Sequence, residues 1–275
     1  GALLKVIIVK DENNLDVAES IAQTLVSDEM ILGVVGHYSS DVTARTAPIY
    51  AQGQLVTISP VSSAVDLSGL SPYLYRTVPT DSFSAAALAA YMVYYRENRN
   101  AAIFFDSTSE ASRSLKESFV SFVSAWGGDI VAEYDFSNSG FDDDVLLEAE
   151  QDGADTIMIA SSLDTLDAAV DIINANEGAL PVLGGDELYN RALLADTKAN
   201  SQALTISVPW HLLSRDTDAE FVRSSQDLWK GDVSWRTAST YDAVLAIATG
   251  LQGDASREGL KAALDSEDFN LDTSS

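Results

Sequence analysis

Residues 32–64, LGVVGHYSSDVTARTAPIYAQGQLVTISPVSSA, contain two short apolar runs that each end in a cluster of hydroxyl side chains. The runs LGVVG (32–36) and LVTIS (55–59) have the length of buried β-strands, and the stretch from Ser40 to about Gln52 has helical periodicity. A strand, a helix and a second strand in this order are typical of a parallel sheet covered by helices on both faces.

The same alternation of apolar runs and amphipathic stretches continues along the whole chain. Further strands are predicted at 5–9, 73–78, 101–105, 129–136, 156–160, 181–185 and 203–210. Further helices are predicted at about 15–27, 82–98, 110–126, 219–229, 237–252 and 257–264. Because these runs are too many for one compact sheet, we predict two α/β lobes with parallel central sheets.

Two polar stretches, RENRNAA (96–102) and VPWHLLSRD (208–216), predict where the chain passes from one lobe to the other. The first lobe is predicted to contain residues 1–98 and 210–267. The second is predicted to contain residues 99–209 and 268–275.

Composition excludes several classes of function. The chain has 275 residues, of which 42 are acidic and 16 basic, giving a formal charge of −26. This charge argues against a nucleic-acid partner and against anionic membranes, and it suits salty surroundings that screen self-repulsion. The chain has no cysteine, so disulfides and thiolate chemistry are absent, and no stretch approaches the roughly 20 apolar residues of a membrane span.

The loops that follow the predicted strands are rich in hydroxyls and carboxylates but lack a catalytic motif. There is no G-x-S-x-G, H-E-x-x-H, glycine-rich phosphate loop or G-x-G-x-x-G. His37 could act as a base for a nearby serine, but the sequence identifies no acid to support it. A Ca²⁺ site at Asp142–Asp144 lacks the spacing of an EF-hand loop, so we expect no metal and no cofactor.

The hydroxyl clusters favour a site for a carboxylate. Ser40 lies where a helix N-cap is expected, and Ser62 or Ser63 is placed to cap a second short helix. Helix N-termini offer free N–H groups and a partial positive charge, which favour an anion. Asp186, directly after VLGG, is the best-placed carboxylate to hold an ammonium group. These residue types together predict a site for a free amino acid.

The stretch 31–67, ILGVVGHYSSDVTARTAPIYAQGQLVTISPVSSAVDL, resembles the type I periplasmic solute-binding proteins of the leucine/isoleucine/valine-binding kind, which serve ABC transporters. The resemblance continues through YLYRTVPTDSFSAAALAAYM, GADTIMIA and TASTYDAVLAIATGL and covers nearly the whole chain. It implies two Rossmann-like lobes joined by three crossovers, which close on a ligand and hand it to an ABC permease.

The resemblance also implies roles for individual residues. Ser40 and Ser63 would bind the ligand carboxylate, Asp186 would take the ammonium, and Tyr38 and Ser39 would line the side-chain pocket. The full set of candidate ligand-binding residues is Tyr38, Ser39, Ser40, Val61, Ser62, Ser63, Ser109, Ser162 and Asp186, with Val61 contributing its backbone.

The chain departs from the family's pattern in two ways. Aromatic residues that the family has near Ser162 and near Ser109 are missing, which leaves the identity of the amino acid open and favours a more polar ligand. The family's opening strand and helix, and its last strands, have no counterpart here. We therefore expect an internal part of a longer protein that is exported to the periplasm or the cell exterior.

Two alternatives remain from the sequence. The same fold could form the ligand-sensing domain of a receptor or kinase, and an α/β enzyme is the less favoured possibility. A DNA-binding regulator with a similar effector domain is disfavoured by the acidic charge.

Overall fold

The computed structural model describes residues 4–137, 141, 144–211, 220–231 and 233–271. These residues divide into two units, the first formed by the chain up to Val78 and from Trp210 onward, and the second by Pro79–Pro209. Each unit is an α/β structure around its own parallel sheet, as the sequence predicts.

The first unit contains a three-stranded parallel sheet in the order β1–β2–β3. The strands are β1 (Gly33–Val35), β2 (Val56–Ser59) and β3 (Leu74–Arg76). The helices are α1 (Leu15–Ser27), α2 (Ser40–Gln52), α8 (Glu220–Trp229), α9 (Trp235–Gly250) and α10 (Arg257–Leu264). Side chains alternate along a strand, so consecutive apolar residues of each strand point to opposite faces of this sheet.

One face of this sheet packs on α1 and α2, and the other packs on α9 and α10. Val34 of β1 contacts a cluster that includes Tyr50 of α2. Ile58 of β2 belongs to a second cluster with Ala246 of α9 and Leu260 of α10. Helices on both faces leave the loops at the carboxyl ends of the strands as the place for a ligand.

The second unit contains a five-stranded parallel sheet in the order β5–β4–β6–β7–β8. The strands are β4 (Asn100–Phe105), β5 (Asp129–Asp135), β6 (Thr156–Ala160), β7 (Val182–Gly184) and β8 (Leu204–Ile206). The helices are α3 (Asp81–Ala90), which continues as one π-helical turn over Tyr91–Tyr95, then α4 (Glu110–Ala125), α5 (Asp144–Gln151), α6 (Leu166–Ala175) and α7 (Arg191–Thr197).

Fully buried residues of β6 alternate between the two faces of this second sheet. Ile157 packs in a cluster with Ile172 of α6. Met158 packs in the opposite cluster with Leu88 of α3 and Phe119 of α4. Since every residue of β6 is buried, its near-continuous apolar sequence is that of a central parallel strand.

The unit boundaries differ from the expected lobe boundaries at two places. The sequence places residues up to 98 in the first lobe, whereas α3 packs on the second sheet through Leu88, so the division falls after Val78. The sequence places 268–275 in the second lobe, whereas Phe269 and Leu271 pack on the core of the first unit. The last of these residues, 272–275, lie outside the described part of the chain.

The strand predicted at 5–9 is not formed, so that prediction is wrong. This segment has no regular structure, and Val6 and Ile8 are 78% and 87% exposed. Among the described residues β1 pairs only with β2, so the segment has no partner strand. An extended segment needs backbone hydrogen bonds from a neighbour to become part of a sheet, and apolar alternation alone does not provide them.

Candidate functional site

The carboxyl ends of β1 and β2 bring the two hydroxyl clusters of the first unit together. The strands pair in parallel with Val35 beside Ile58, and the N–H of Gly36 continues the ladder to the Ile58 carbonyl at 3.1 Å. The loop 36–39 and the loop 60–64 therefore leave neighbouring strands at the same edge of the sheet.

The N-cap of α2 is Ser39 and not Ser40. Ser39 has extended backbone angles, and its Oγ accepts a hydrogen bond from the Val42 N–H at 3.2 Å. The second predicted cap is also wrong, since the short 3₁₀ helix Val65–Leu67 follows Ala64 and has no side-chain cap. Capping therefore accounts for Ser39 and leaves Ser40, Ser62 and Ser63 for other roles.

Ser40 joins the two loops. It is buried in the first turn of α2, and its Oγ accepts a hydrogen bond from the Ala64 N–H at 3.3 Å. Within the described part of the chain, the hydrogen of the Ser40 hydroxyl and the Ser40 N–H have no acceptor. A serine hydroxyl can accept and donate at the same time, so Ser40 can still donate to an anion.

Ser62 is engaged with the protein itself. It is buried, and its Oγ lies 2.7 Å from Thr43 Oγ1, 3.2 Å from the His37 carbonyl and 3.3 Å from the Tyr38 carbonyl. A hydroxyl has a single hydrogen to donate, and these oxygens surround it. Ser62 consequently serves as a link between loops.

Ser63 differs from its neighbour. Its side chain is half-buried, and neither its hydroxyl nor its N–H has a hydrogen-bond partner among the residues that the structure describes. Val61 is buried, and its N–H points to Ser59 Oγ at 3.4 Å. The hydroxyl and the N–H of Ser63 are therefore the donors of loop 60–64 that have no acceptor among the described residues.

Tyr38 lies beside a cation that the sequence reasoning missed. The guanidinium carbon of Arg236, near the start of α9, is 5.6 Å from the centre of the Tyr38 ring and 4.4 Å from that of Trp235. Arginine over an aromatic face is an attractive cation–π arrangement. Because Arg236 is about 200 residues from Tyr38, no local pattern could have identified it.

In the second unit, the carboxyl ends of β4 and β6 are joined through Asp106. This carboxylate is 2% exposed, and it accepts hydrogen bonds from the Ser162 hydroxyl at 2.7 Å and from the Thr108 hydroxyl at 2.6 Å. Ser109 is the N-cap of α4, with the Ser112 N–H at 3.4 Å from its Oγ. Asp106, which we did not select from the sequence, is therefore the residue that holds these loops.

Asp186 follows β7 at the same edge of the second sheet. It begins the short 3₁₀ helix Asp186–Leu188, is half-buried, and does not cap that helix, since the N-cap is Gly185. Because β6 and β7 are neighbours in the sheet, Asp186 and Ser162 follow adjacent strands. Asp106, by contrast, is engaged with the Ser162 and Thr108 hydroxyls of its own unit.

His37 is buried between two side chains. Its Nδ1 is 2.6 Å from Asp11 Oδ2, and its Nε2 is 2.9 Å from the Tyr50 hydroxyl. Burial raises the pKa of Asp11, but the hydrogen bonds from His37 and from the Asn13 N–H outweigh it and place that pKa below its usual value. Burial, together with the charge of Asp11, raises the pKa of the Tyr50 hydroxyl. Both ring nitrogens are therefore occupied.

No metal site is apparent in the described ranges, where no three His, Cys, Asp or Glu side chains are grouped to hold an ion. The predicted Ca²⁺ candidate falls largely outside those ranges, because Asp142 and Asp143 are not described and only Asp144 is, as the first residue of α5. None of the described helices is long and apolar enough to cross a membrane.

Comparison with known proteins identifies the class that this fold and site define. The model of the periplasmic binding protein family matches residues 1–273, so the chain belongs to that family and has its type I fold. Members of the family are solute-binding proteins and not enzymes, which agrees with the expectation from the sequence. No curated protein sequence is significantly similar to the chain.

Solved structures with the same fold include two amino-acid-binding proteins. The leucine-binding protein of Thermotoga maritima has a TM-score of 0.83 at 18% identity, over 94% of this chain and 75% of that one. The branched-chain amino acid transporter substrate-binding protein of Streptococcus pneumoniae, solved with isoleucine, has a TM-score of 0.81 at 21% identity, over 94% and 74%.

A third solved structure carries a different ligand. The ABC transporter solute-binding protein of Rhodopseudomonas palustris BisB5, solved with 3,4-dihydroxybenzoic acid, has a TM-score of 0.76 at 16% identity, over 93% of this chain and 72% of that one. At these identities the comparisons establish the fold and leave the ligand open.

Proposed function

We propose that the chain binds a free amino acid outside the cytoplasm and hands it to the membrane permease of an ABC transporter. The α-carboxylate is held by the Ser40 hydroxyl, the Ser63 hydroxyl and the N–H groups of these two residues. The ammonium is held by Asp186, and Tyr38 contacts the ligand side chain.

The observation that carries this proposal is the set of donors without acceptors at one edge of the first sheet. The hydroxyl hydrogen and N–H of Ser40, and the same two groups of Ser63, have no acceptor among the described residues. Buried polar groups are nearly always paired, so the unpaired donors of the buried Ser40 favour an anion at this place. The N-terminal position of Ser40 in α2 adds the favourable field of the helix dipole.

The free energies of a few hydrogen bonds to charged groups are sufficient for micromolar binding. Each hydrogen bond to a charged group contributes about 1.5–3 kcal/mol, and micromolar affinity requires about 8 kcal/mol. Three to five such bonds therefore account for a micromolar ligand. No group of a catalytic kind has to be invoked, because the serines near His37 contact its carbonyl and not its ring.

The ligands of the solved neighbours share one group. Isoleucine, leucine and 3,4-dihydroxybenzoic acid all carry a carboxylate, although their other groups differ. This shared group supports the proposal that the donors of the first unit bind the carboxylate of the ligand. An aromatic carboxylate is the second candidate, favoured by the Arg236 guanidinium beside the Tyr38 ring.

A thermal-shift screen tests the proposal. The screen contains the common amino acids, 3,4-dihydroxybenzoate and, as controls, sugars and polyamines. We expect at least one amino acid to raise the Tm and to be recovered unchanged, since a ligand at 100 times its Kd stabilises by about 2.7 kcal/mol. A shift with the aromatic acid alone would select the second candidate, and chemical conversion of the amino acid would instead indicate an enzyme.

A further inference from the structure

His37 is a buried, chemistry-bearing residue that amino-acid binding as proposed does not use. It is 7% exposed, and the hydrogen bonds of its ring go to Asp11 and Tyr50 and not to the hydroxyls of Ser40 and Ser63. Its partners come from different parts of the first unit, because Asp11 precedes α1 and Tyr50 lies near the end of α2. The ring of His37 also stacks on that of Tyr50, with centres 5.8 Å apart.

The hydrogen-bond roles of these three residues fit one protonation pattern completely. With a hydrogen on Nδ1, His37 donates to Asp11 Oδ2, and in that tautomer Nε2 accepts from the Tyr50 hydroxyl. In that pattern no donor or acceptor of the imidazole is left over. A ring held from both sides fixes the position of the residue's backbone.

The backbone carbonyl of His37 is the point where the two loops meet. It accepts hydrogen bonds from the Ser59 hydroxyl at 2.9 Å and from the Ser62 hydroxyl at 3.2 Å. Ser59 Oγ in turn accepts from the Ser62 N–H at 3.0 Å. These bonds fix the residue directly before Ser63, whose donors are the free ones of the loop.

We propose that His37 is a positioning residue: through its carbonyl it holds loop 60–64 in the arrangement in which Ser63 donates to the ligand carboxylate, and its ring is locked for this task by Asp11 and Tyr50. The proposal rests on the proposed amino-acid binding. It also excludes His37 as a catalytic base, because the serines lie at its carbonyl and its ring nitrogens face Asp11 and Tyr50. If the His37 ring lost its hydrogen bonds to Asp11 and Tyr50, the His37 backbone carbonyl could move. Loop 60–64, which is bonded to this carbonyl, would then move as well.

Three variants and one control test the assignment. His37→Ala removes both ring contacts, Tyr50→Phe removes one hydroxyl and keeps the ring stack, and Asp11→Asn keeps an acceptor for Nδ1. The control is Thr46→Val in α2, because the Thr46 hydroxyl is buried and its partners among the described residues are carbonyls of its own helix, Val42 O at 2.8 Å and Thr43 O at 3.4 Å.

The first readout is amide hydrogen exchange at Ser62 and Ser63 in the protein without added ligand. The second is the affinity for L-isoleucine and L-leucine by calorimetry, and the third is the free energy of unfolding. We expect His37→Ala to speed amide exchange at Ser62 about tenfold and to weaken the affinity for the amino acid about tenfold. Tyr50→Phe should produce a smaller change in both quantities, and Asp11→Asn the smallest change. Thr46→Val should destabilise without changing either of the first two readouts.

The outcomes separate this inference from the proposed function. If the wild type binds neither L-isoleucine nor L-leucine, these two ligands are excluded, the thermal-shift screen decides the amino-acid proposal, and the exchange at Ser62 still tests the positioning role. Exchange at Ser62 unchanged in both His37→Ala and Tyr50→Phe would overturn the positioning role. The positioning role would also be overturned if Thr46→Val weakened the affinity for the amino acid as much as His37→Ala does, because the loss of affinity would then follow from global destabilisation.

Discussion

The N–H of Ala64 donates a hydrogen bond to Ser40 Oγ at 3.3 Å, and this contact ties the loop after β2 to the first turn of α2. It uses the acceptor side of the Ser40 hydroxyl and leaves its hydrogen available. The role proposed for Ser40 in binding a carboxylate thus depends on a contact between residues that are 24 positions apart in the sequence.

Ser63→Ala should weaken amino-acid binding by about 1–2 kcal/mol, because one hydroxyl donor to the carboxylate is lost while the N–H groups remain. Ser40→Ala should cost the same in binding and in addition destabilise the protein, since the Ala64 N–H loses its acceptor. Calorimetric titration and urea unfolding measure the two quantities. Equal destabilisation by both variants would contradict the different roles assigned to these serines.

Asp186→Ala should weaken amino-acid binding at least about tenfold, because the ammonium loses its charged partner. Glu187→Ala is the matched control, since it removes a neighbouring carboxylate from the same short helix. Both variants are titrated with the amino acid that shifts the Tm of the wild type. An unchanged affinity of Asp186→Ala, or an equal loss for Glu187→Ala, would refute the assignment of Asp186.

The contact between Asp11 and His37 predicts a dependence of stability on acid. Because the folded-state pKa of Asp11 is lowered, the stability that this carboxylate contributes is present above its unfolded pKa of about 3.9 and is lost as the pH falls through the lower folded value. The difference in unfolding free energy between wild type and Asp11→Asn should therefore shrink as the pH drops below about 4. A difference that stays constant from pH 6 to pH 3 would show that the carboxylate's charge contributes nothing.

The exposed segment 5–9 predicts a contrast between two isoleucines. Ile8 is 87% exposed and Ile58 is 1% exposed. Ile8→Thr should change the free energy of unfolding by less than about 0.5 kcal/mol, whereas Ile58→Thr should cost about 2–4 kcal/mol by opening space and burying a hydroxyl. Denaturant unfolding of the two variants checks this, and a large cost at Ile8 would show that segment 5–9 is packed in solution.

The formal charge of −26 predicts that salt stabilises the protein. Added salt screens the repulsion between surface carboxylates, with a screening length of about 10 Å at 0.1 M and about 3 Å at 1 M. The Tm should rise with sodium chloride and more than with an uncharged osmolyte at matched osmolarity. A Tm that does not change with salt would remove the link between the acidic surface and salty surroundings.

Each strand of the described residues coincides with a predicted run, whereas no helix was predicted at α6. The predicted bounds of α1, α2 and α10 agree with the observed ones, because apolar spacing and flanking polar residues mark their ends. Segment 5–9 has the composition of a strand but forms none, since pairing depends on a neighbour that a local pattern cannot specify.

The candidate site was predicted at the level of loops and not of individual atoms. The hydroxyl clusters do lie together, because parallel strands end at one edge of a sheet. The role of each hydroxyl depends on contacts between loops. Ser39 caps α2, Ser62 bonds to Thr43, and the Ser63 hydroxyl has no partner among the described residues. The partners of His37 and the place of Arg236 are likewise contacts over long sequence distances.

The most direct measurement is calorimetric titration of the wild type with its best amino acid from the screen and with the carboxamide of the same amino acid. The carboxamide keeps the ammonium and side chain but removes the negative charge that the donors of Ser40 and Ser63 recognise. We predict at least about tenfold weaker binding of the carboxamide. Equal affinity for the two compounds would contradict the claim that this chain binds its ligand through a carboxylate.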